Sequence, residues 1–248
     1  MKKILQCMSC LWLFQARFAS AVELIATYPS DATAFTQGLE YHTEKGLLLS
    51  TGLYGESSIG YLNLETGERE QVQSLEARYF GEGITVMPDG IWQLSWKEQT
   101  AFLRDVETLE VLQTAHYVGE GWGIAYDDSR SVLWLSNGSS KLQQYHPQTF
   151  AKLESLSVTE NGKPVEKLNE LEYANGFLYA NIWQTNRIVK IDLETGAVVA
   201  SFDLSEWVEP LQLTNPNDVL NGIAHIEGER FYITGKRYPV IWEMDLSK

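Results

Sequence analysis

Short apolar runs separated by polar turns recur along most of the chain. Runs of this length, bounded by Gly, Pro, Asn and Asp, are typical of β-strands. Tight turns such as Pro88-Asp89-Gly90 and Ala174-Asn175-Gly176 join neighbouring runs and have the chemistry of hairpins. No stretch after the N-terminal segment has the period of a long helix, and no Pro/Ser-rich linker interrupts the pattern. The pattern therefore predicts an all-β protein.

One half of a repeating unit is visible as an apolar strand followed by a polar turn. It occurs at residues 61–67, 102–108, 142–149 and 188–196, and a fifth copy at 240–246 stops near the chain end. The starts of these segments lie 41, 40, 46 and 52 residues apart. A further pair of strands precedes each copy, so each unit has four strands. Four strands at this period are typical of propeller blades, and we predict a five-bladed β-propeller.

The fifth unit lacks an outermost strand, because the chain ends soon after residue 246. The run 22–28 is rich in β-forming residues and has no place in the first unit. We expect it to pair with 240–246 and to close the ring, since closure removes the open strand edges. The predicted catalytic domain is then residues 22–248, a single propeller. An open array of sheets fits the even spacing less well.

The first 21 residues have the features of a secretory signal peptide. Lys2 and Lys3 precede an apolar run at 4–14, and Ala19-Ser20-Ala21 has the small-x-small pattern of a cleavage site. The run is too short to span a membrane as a helix. We therefore expect a periplasmic or secreted protein with no membrane segment in its mature form. A cytosolic chain with an apolar N-terminus, or lipidation at Cys10, is the alternative.

Composition after the leader narrows the possible partners. Both cysteines lie within residues 1–21, so a mature chain has no disulfide. Removal of three basic leader residues from the total of 19 leaves 16 against 33 acidic residues, a net charge of −17. This balance argues against nucleic acid or an anionic membrane surface as a partner. It is compatible with a cationic ligand such as a peptide amino group.

A short glycine motif marks the start of the first strand in four of the units. It appears as Gln37-Gly38-Leu39 and again at 82–84, 122–124 and 221–223, with Asn169-Glu170-Leu171 as a variant that lacks glycine. The innermost strands of a propeller begin near its axis, so these positions should converge at one mouth. The far ends of the second strands add an outer ring to this mouth: Trp96, Trp183 and Lys236.

The converging side chains predict a small polar pocket with aromatic walls, a composition typical of ligand sites. Each residue also has a simpler structural interpretation. A tryptophan of a propeller often packs between blades, and Glu82 could merely accept backbone hydrogen bonds. The equivalence of the positions in different blades favours the pocket.

Other chemistries are less well supported by the sequence. The four histidines show no ligand spacing, so we expect no zinc site, and no cofactor is predicted. A calcium-dependent propeller of the lactonase type stays open as an alternative, because several oxygen donors would lie near the mouth: Glu82, Asn169, Asn217, Asp218 and Asn221. A non-catalytic propeller that binds peptides or sugars is the third possibility.

The same segments resemble the glutamine cyclotransferases of plants and bacteria, which are five-bladed glutaminyl cyclases. The matching segments follow one another along the whole mature chain: residues 35–41, 80–85, 94–97, 119–123, 168–172, 180–183, 220–224 and 234–236. Any one of them would be weak, but so many in order are specific. Two positions depart from the usual pattern, Asn137 in the stretch 136–139 and Tyr238 before Pro239. Neither is a matched site position.

The resemblance implies an enzyme that converts N-terminal glutaminyl residues of peptides or proteins to pyroglutamate and releases ammonia. It places the general acid/base on Glu82 and polar substrate contacts on Gln37, Asn169 and Lys236. It places the aromatic pocket on five further residues: Phe35, Phe80, Trp96, Trp122 and Trp183. We expect a monomer that needs no metal and acts on peptide N-termini.

The implied chemistry suits these residue types. The substrate carries its own nucleophile, the α-amino group, so the enzyme mainly folds the side chain back and moves protons. A carboxyl group desolvated by aromatic neighbours should have a raised pKa, which suits Glu82 to proton transfer. Lys236, Gln37 or Asn169 would stabilise the oxyanion on the γ-carbonyl.

Overall fold

The computed structural model describes residues 22–247. The leader sequence predicted for residues 1–21, with Cys7 and Cys10, lies outside the described residues. Strand β1 (Glu23–Pro29) comes first and is followed by the first blade. The four strands of that blade are β2 (Thr36–His42), β3 (Gly46–Thr51), β4 (Ser58–Leu62) and β5 (Arg69–Ser74).

The second and third blades continue the same up-and-down order. The second contains β6 (Gly81–Met87), β7 (Gly90–Ser95), β8 (Thr100–Arg104) and β9 (Val111–His116). The third contains β10 (Ile124–Asp127), β11 (Val132–Leu135), β12 (Lys141–Tyr145) and β13 (Lys152–Ser157). A small hairpin of β14 (Thr159–Glu160) and β15 (Lys163–Pro164) follows the third blade.

The last two blades complete the ring. The fourth contains β16 (Leu168–Ala174), β17 (Phe177–Ile182), β18 (Arg187–Asp192) and β19 (Val198–Asp203). A short helix α1 (Ser205–Val208) and a 3₁₀ turn (Glu209–Leu211) precede the fifth blade. That blade contains β20 (Leu220–Glu227), β21 (Arg230–Gly235) and β22 (Val240–Asp245).

The N-terminal strand supplies the missing outer strand of the fifth blade. The sheet order is β1-β22-β21-β20, and β1 runs antiparallel to β22 from Glu23 opposite Asp245 to Pro29 opposite Val240. The hydroxyl of Tyr28 also donates a hydrogen bond to Glu243 at 2.9 Å. The predicted five-bladed propeller, closed by its N-terminal strand, is confirmed.

The two longer repeats have a structural explanation that the sequence pattern did not predict. The interval of 46 residues includes the β14–β15 hairpin, and the interval of 52 includes α1 and the loop that leads to β20. Both insertions are too short to show a clear period of their own. They extend the connections between blades and leave the four-stranded units unchanged.

The apolar core lies in the seams between blades. Within residues 22–247, buried apolar side chains form five clusters, and each joins two neighbouring blades. In the seam between blades one and two, Leu48 and Ile59 pack with Ile84 and Ile91, and all four are fully buried. Because each seam uses both of its blades, the stability of one blade depends on its neighbours.

The inner strands approach each other at the glycines of the repeated motif. A Cβ atom on Gly83 would lie 2.7 Å from the main-chain oxygen of Trp122 and 2.8 Å from the Cα of Gly123. On Gly123 it would lie 2.2 Å from the main-chain oxygen of Asn169. The Gly83 amide instead donates a hydrogen bond to that oxygen of Trp122 at 2.8 Å, directly between two blades. Glycine at these positions is therefore required by the close approach of two backbones.

We predict that Gly83→Ala destabilises the propeller by about 3 kcal/mol, because backbone cannot move aside as a flexible side chain can. Gly176→Ala is the matched control. Gly176 has open space around it but a φ of +84°, so it should cost only about 1–2 kcal/mol. Denaturant unfolding of both variants measures the difference. Equal losses of stability would contradict the steric explanation.

Candidate active site

A cavity of about 310 Å³ opens at the end of the propeller where the inner strands begin. All nine predicted site residues line it: Phe35, Gln37, Phe80, Glu82, Trp96, Trp122, Asn169, Trp183 and Lys236. Leu53 and Asn217 complete the lining. The volume lies at the small end of the range for ligand pockets. It suits one amino-acid side chain and its backbone better than a large ligand.

Antiparallel pairing explains why these residues meet. Gln37, Glu82 and Asn169 lie near the starts of inner strands, and Trp96, Trp183 and Lys236 directly follow the ends of second strands. The start of one strand and the end of its antiparallel partner lie at the same end of a blade. Because the blades surround one axis, these strand ends present their side chains to one mouth.

The aromatic wall consists of rings in contact with each other. The rings of Phe80 and Trp96 have centroids 5.4 Å apart, and those of Trp122 and Trp183 lie 5.5 Å apart edge to face. Two glycines make room for this wall. A Cβ on Gly52 would lie 2.3 Å from the Phe80 ring, and one on Gly138 would lie 2.5 Å from the Trp122 indole.

Glu82 lies buried at the floor of the cavity. Its side chain is only 4% exposed, and burial raises the pKa of its carboxyl well above the ordinary value. The positive charge of Lys236 opposes this shift in pKa, while the carboxylates of Glu120 and Glu98 add to it. A buried carboxyl group with a raised pKa is a candidate for taking up and returning a proton during a reaction.

Lys236 is the cationic counterpart of Glu82 in the same cavity. Burial lowers the pKa of its ammonium group to about 8, although the charge of Glu82 raises it. The Lys236 nitrogen lies 4.8 Å from the centre of the Phe35 ring. It is therefore a desolvated cation held over an aromatic face.

A chain of hydrogen bonds fixes the orientation of Glu82. The Asn221 amide nitrogen donates to Gln37 Oε1 at 3.2 Å and to the main-chain oxygen of Thr36 at 3.1 Å. Gln37 Nε2 then donates to Glu82 Oε1 at 3.2 Å. Because its oxygen faces Asn221, the Gln37 amide must present its nitrogen to Glu82. Asn221 is fully buried and lies behind the cavity lining.

Two carboxylates that the sequence did not single out hold the aromatic wall. Glu120 Oε2 accepts hydrogen bonds from the indole nitrogens of Trp96 at 2.8 Å and Trp122 at 3.0 Å. Glu98 accepts from the Tyr54 hydroxyl at 2.8 Å and from the Phe80 amide at 3.3 Å. Glu120 belongs to the motif at residues 119–123, which was the available signal for it.

The two departures from the family pattern fit the blades without disruption. Asn137 Oδ1 accepts hydrogen bonds from the amide and hydroxyl of Ser139 at 3.2 and 2.6 Å, as a carboxylate in this place could also do. Tyr238 is buried with its ring against Trp242, at a centroid distance of 5.8 Å. Neither residue lines the cavity.

Of the oxygen donors proposed for a calcium site, Glu82, Asn169 and Asn217 line the cavity, whereas Asp218 and Asn221 do not. Asp218 is paired with Arg237 at 2.9 Å, and Asn221 turns its amide nitrogen toward Gln37. Among residues 22–247, no group of three or more His, Cys, Asp or Glu side chains is placed to hold a metal ion. Asp218 is thus engaged by an arginine, whereas the Oδ1 atoms of Asn169 and Asn221 have no hydrogen-bond partner among the described residues.

Comparison with known proteins identifies the family. A family model described as glutamine cyclotransferase matches residues 6–246. The chain belongs to the glutamine cyclotransferase family. It is 37% identical over 231 residues to the glutaminyl-peptide cyclotransferase of Arabidopsis thaliana, and the match covers 92% of this chain and 72% of that relative. The family resemblance inferred from the motifs is confirmed.

A solved structure shows the same architecture. The crystal structure of Myxococcus xanthus glutaminyl cyclase superposes with a TM-score of 0.84 at 36% identity. The match covers 92% of this chain and 97% of that chain. The similarity to this structure therefore extends over most of the chain.

Proposed function

We propose that this member of the family is a glutaminyl-peptide cyclotransferase in which Glu82 moves the protons. It converts N-terminal glutaminyl residues to pyroglutamate and releases ammonia. The observation that carries the proposal is a buried carboxyl group, oriented by Gln37, on the floor of an aromatic cavity sized for one residue. Family membership supplies the reaction, and the cavity supplies the residues that would perform it.

The reaction closes a five-membered ring within the substrate. The α-amino nitrogen attacks the carbon of the γ-carboxamide, and ionised Glu82 accepts a proton from that nitrogen. The carbonyl oxygen gains negative charge, and Lys236 faces it as a cation. Glu82 then returns its proton to the carboxamide nitrogen as the C–N bond breaks and ammonia leaves. Protons balance over the cycle, so Glu82 ends as it began.

The cavity walls have two tasks in this mechanism. The tryptophans and phenylalanines exclude water, which strengthens the electrostatic interactions inside. They also compress the flexible glutamine side chain so that its carboxamide lies near its own amine. Asn169 Oδ1 is buried without a hydrogen-bond partner among the described residues, and we assign it to a substrate N–H. The second N–H of Gln37 can donate a hydrogen bond to a substrate oxygen.

The proposal includes the setting in which the enzyme works. We infer that residues 1–21 direct export to the periplasm or the exterior, that the mature monomer comprises residues 22–248, and that catalysis needs no metal. Within the described residues, no helix is long and apolar enough to cross a membrane. Peptides and proteins of varied sequence after the N-terminal glutamine are the expected substrates, since the cavity is open at one side.

We predict that the purified chain releases ammonia from a glutaminyl dipeptide at a rate that a chelator does not change. Glu82→Gln should lower kcat by about 10²–10⁴-fold, because the amide cannot accept and return the proton. Binding of the dipeptide to this variant, measured by calorimetry, should persist. Glu110→Gln, an exposed change away from the cavity, is the matched control. Near-normal turnover by the Glu82 variant would contradict its role in proton transfer. Loss of activity with the chelator would instead indicate a metal-dependent enzyme.

We predict a bell-shaped pH profile of kcat/KM. Activity should rise as Glu82 ionises, and it should fall as the pH passes about 8, where Lys236 loses its charge. Lys236→Arg keeps a cation that does not titrate in this range, so its falling limb should move to clearly higher pH. Thermal unfolding checks that the larger side chain is tolerated. A falling limb that stays in place would show that Lys236 is not the group that titrates there.

We predict that Asn221→Leu lowers kcat by about tenfold, because Gln37 loses the contact that turns its nitrogen to Glu82. A lost donor disfavours the carboxylate, so the rising limb of the pH profile should also move to higher pH. KM should change less than kcat. A variant with reduced activity but an unmoved rising limb would indicate a purely structural role for Asn221.

A further inference from the structure

The mouth of the cavity carries negative charge on one side. Glu120 and Glu98 lie at the outer edge of the wall formed by Phe80, Trp96 and Trp122. The negative charges of both carboxylates raise the pKa of Glu82 in the cavity below them. We call these two residues the acidic rim.

One oxygen of Glu120 accepts no hydrogen bond from the described residues and has only a long ion pair to Lys97. Its Oε2 atom accepts both indole nitrogens, which holds the carboxylate in place. Its Oε1 atom has Lys97 as its nearest cation, at 4.0 Å, and the side chain is 40% exposed. The Lys97 ammonium lies 3.8 Å from the centre of the Trp96 ring, so it partly balances the rim. A preorganised carboxylate with one open oxygen is well placed to bind a cation.

The opposite side of the mouth has basic side chains near its aromatic rings and no excess of carboxylates. Lys167 lies over the Trp183 ring at 5.5 Å and donates a hydrogen bond to Gln184. Arg237, which lies over the Phe35 ring, is neutralised by Asp218. The charges at the mouth are therefore distributed asymmetrically, with the carboxylates beside blades two and three.

We infer that the acidic rim selects substrates with a cationic side chain in the first residues after the N-terminal glutamine. The inference rests on the proposed function, in which the glutamine fills the cavity and the rest of the peptide leaves through the mouth. A lysine or arginine side chain there can approach Glu120 Oε1, while an acidic side chain meets repulsion. Since the pair is partly exposed, the expected preference is about two- to fivefold in kcat/KM.

The experiment compares peptides that differ in charge at one position. Gln-Lys-Ala amide and Gln-Ala-Lys amide are measured against the same peptides with norleucine or glutamate in place of lysine. The wild-type enzyme should prefer lysine over norleucine at one or both positions, and glutamate least. Because the ratio is taken within one enzyme, changes in overall turnover cancel. Turnover of the norleucine peptides tests the proposed function separately.

Two variants should move this ratio in opposite directions. Glu120→Gln removes the charge but keeps an oxygen that accepts both indole nitrogens, so its preference should fall toward one. Lys97→Met keeps an apolar stem on the Trp96 ring and removes the opposing cation, so its preference should increase. Glu110→Gln, in the turn at the far end of blade two, should leave the ratio unchanged.

Ionic strength gives a further readout of the same effect. Added salt should reduce the lysine preference of the wild type and of Lys97→Met, because the rim is exposed to solvent. The inference is overturned if the wild type shows no preference, or if neither variant changes it while the norleucine peptides are still cyclised. It is also overturned if both variants move the ratio in the same direction.

Discussion

The contact between neighbouring inner strands is the constraint on which this structure depends. At Gly83 and Gly123 one backbone touches the next with no space for a side chain. Successive side chains of a strand point to opposite faces, so the residue before the glycine must point elsewhere. In blade two that residue is Glu82, and in blade three it is Trp122. The requirement that closes the ring therefore also places the polar and aromatic residues of the cavity.

The fourth blade meets the same constraint with a different residue. Glu170 stands where the other blades have glycine, and its carboxyl accepts hydrogen bonds from the amides of Leu39 at 3.3 Å and Ile223 at 2.8 Å. One side chain thus joins β16 to β2 and β20. Burial raises the pKa of Glu170 well above the ordinary value, and raises that of nearby Glu40 to about 8. Burial therefore favours the neutral form of both carboxyl groups.

Much of the fold was predictable because each blade repeats a local pattern. The strand pairs, the hairpin turns and the glycine motif are each recognisable within a few residues. Their number along the chain therefore predicts five blades with one shared mouth. The two insertions were not predictable in kind, since the intervals of 46 and 52 residues reveal extra length but no structure. The cavity lining followed from the equivalence of positions between blades.

What the sequence could not predict were contacts made by packing between blades. Glu98 accepts a hydrogen bond from the hydroxyl of Tyr54, which lies 44 positions away in another blade. Asn221 reaches Gln37 across 184 positions, and only the closed ring brings them together. Equivalence of positions shows which residues face the mouth. It does not show which atom of an amide turns toward which neighbour.

The pairing of β1 with β22 has a consequence for how the chain folds. Tyr28 and Glu243 are 215 positions apart, yet they belong to one sheet. Contacts between such distant residues close a very long loop, which slows folding. Until the last strand has been made, the first strand has no partner and its edge stays open. The ring can therefore close only after β22 has been synthesised, so the propeller acquires its native topology only when its first and last strands are both present.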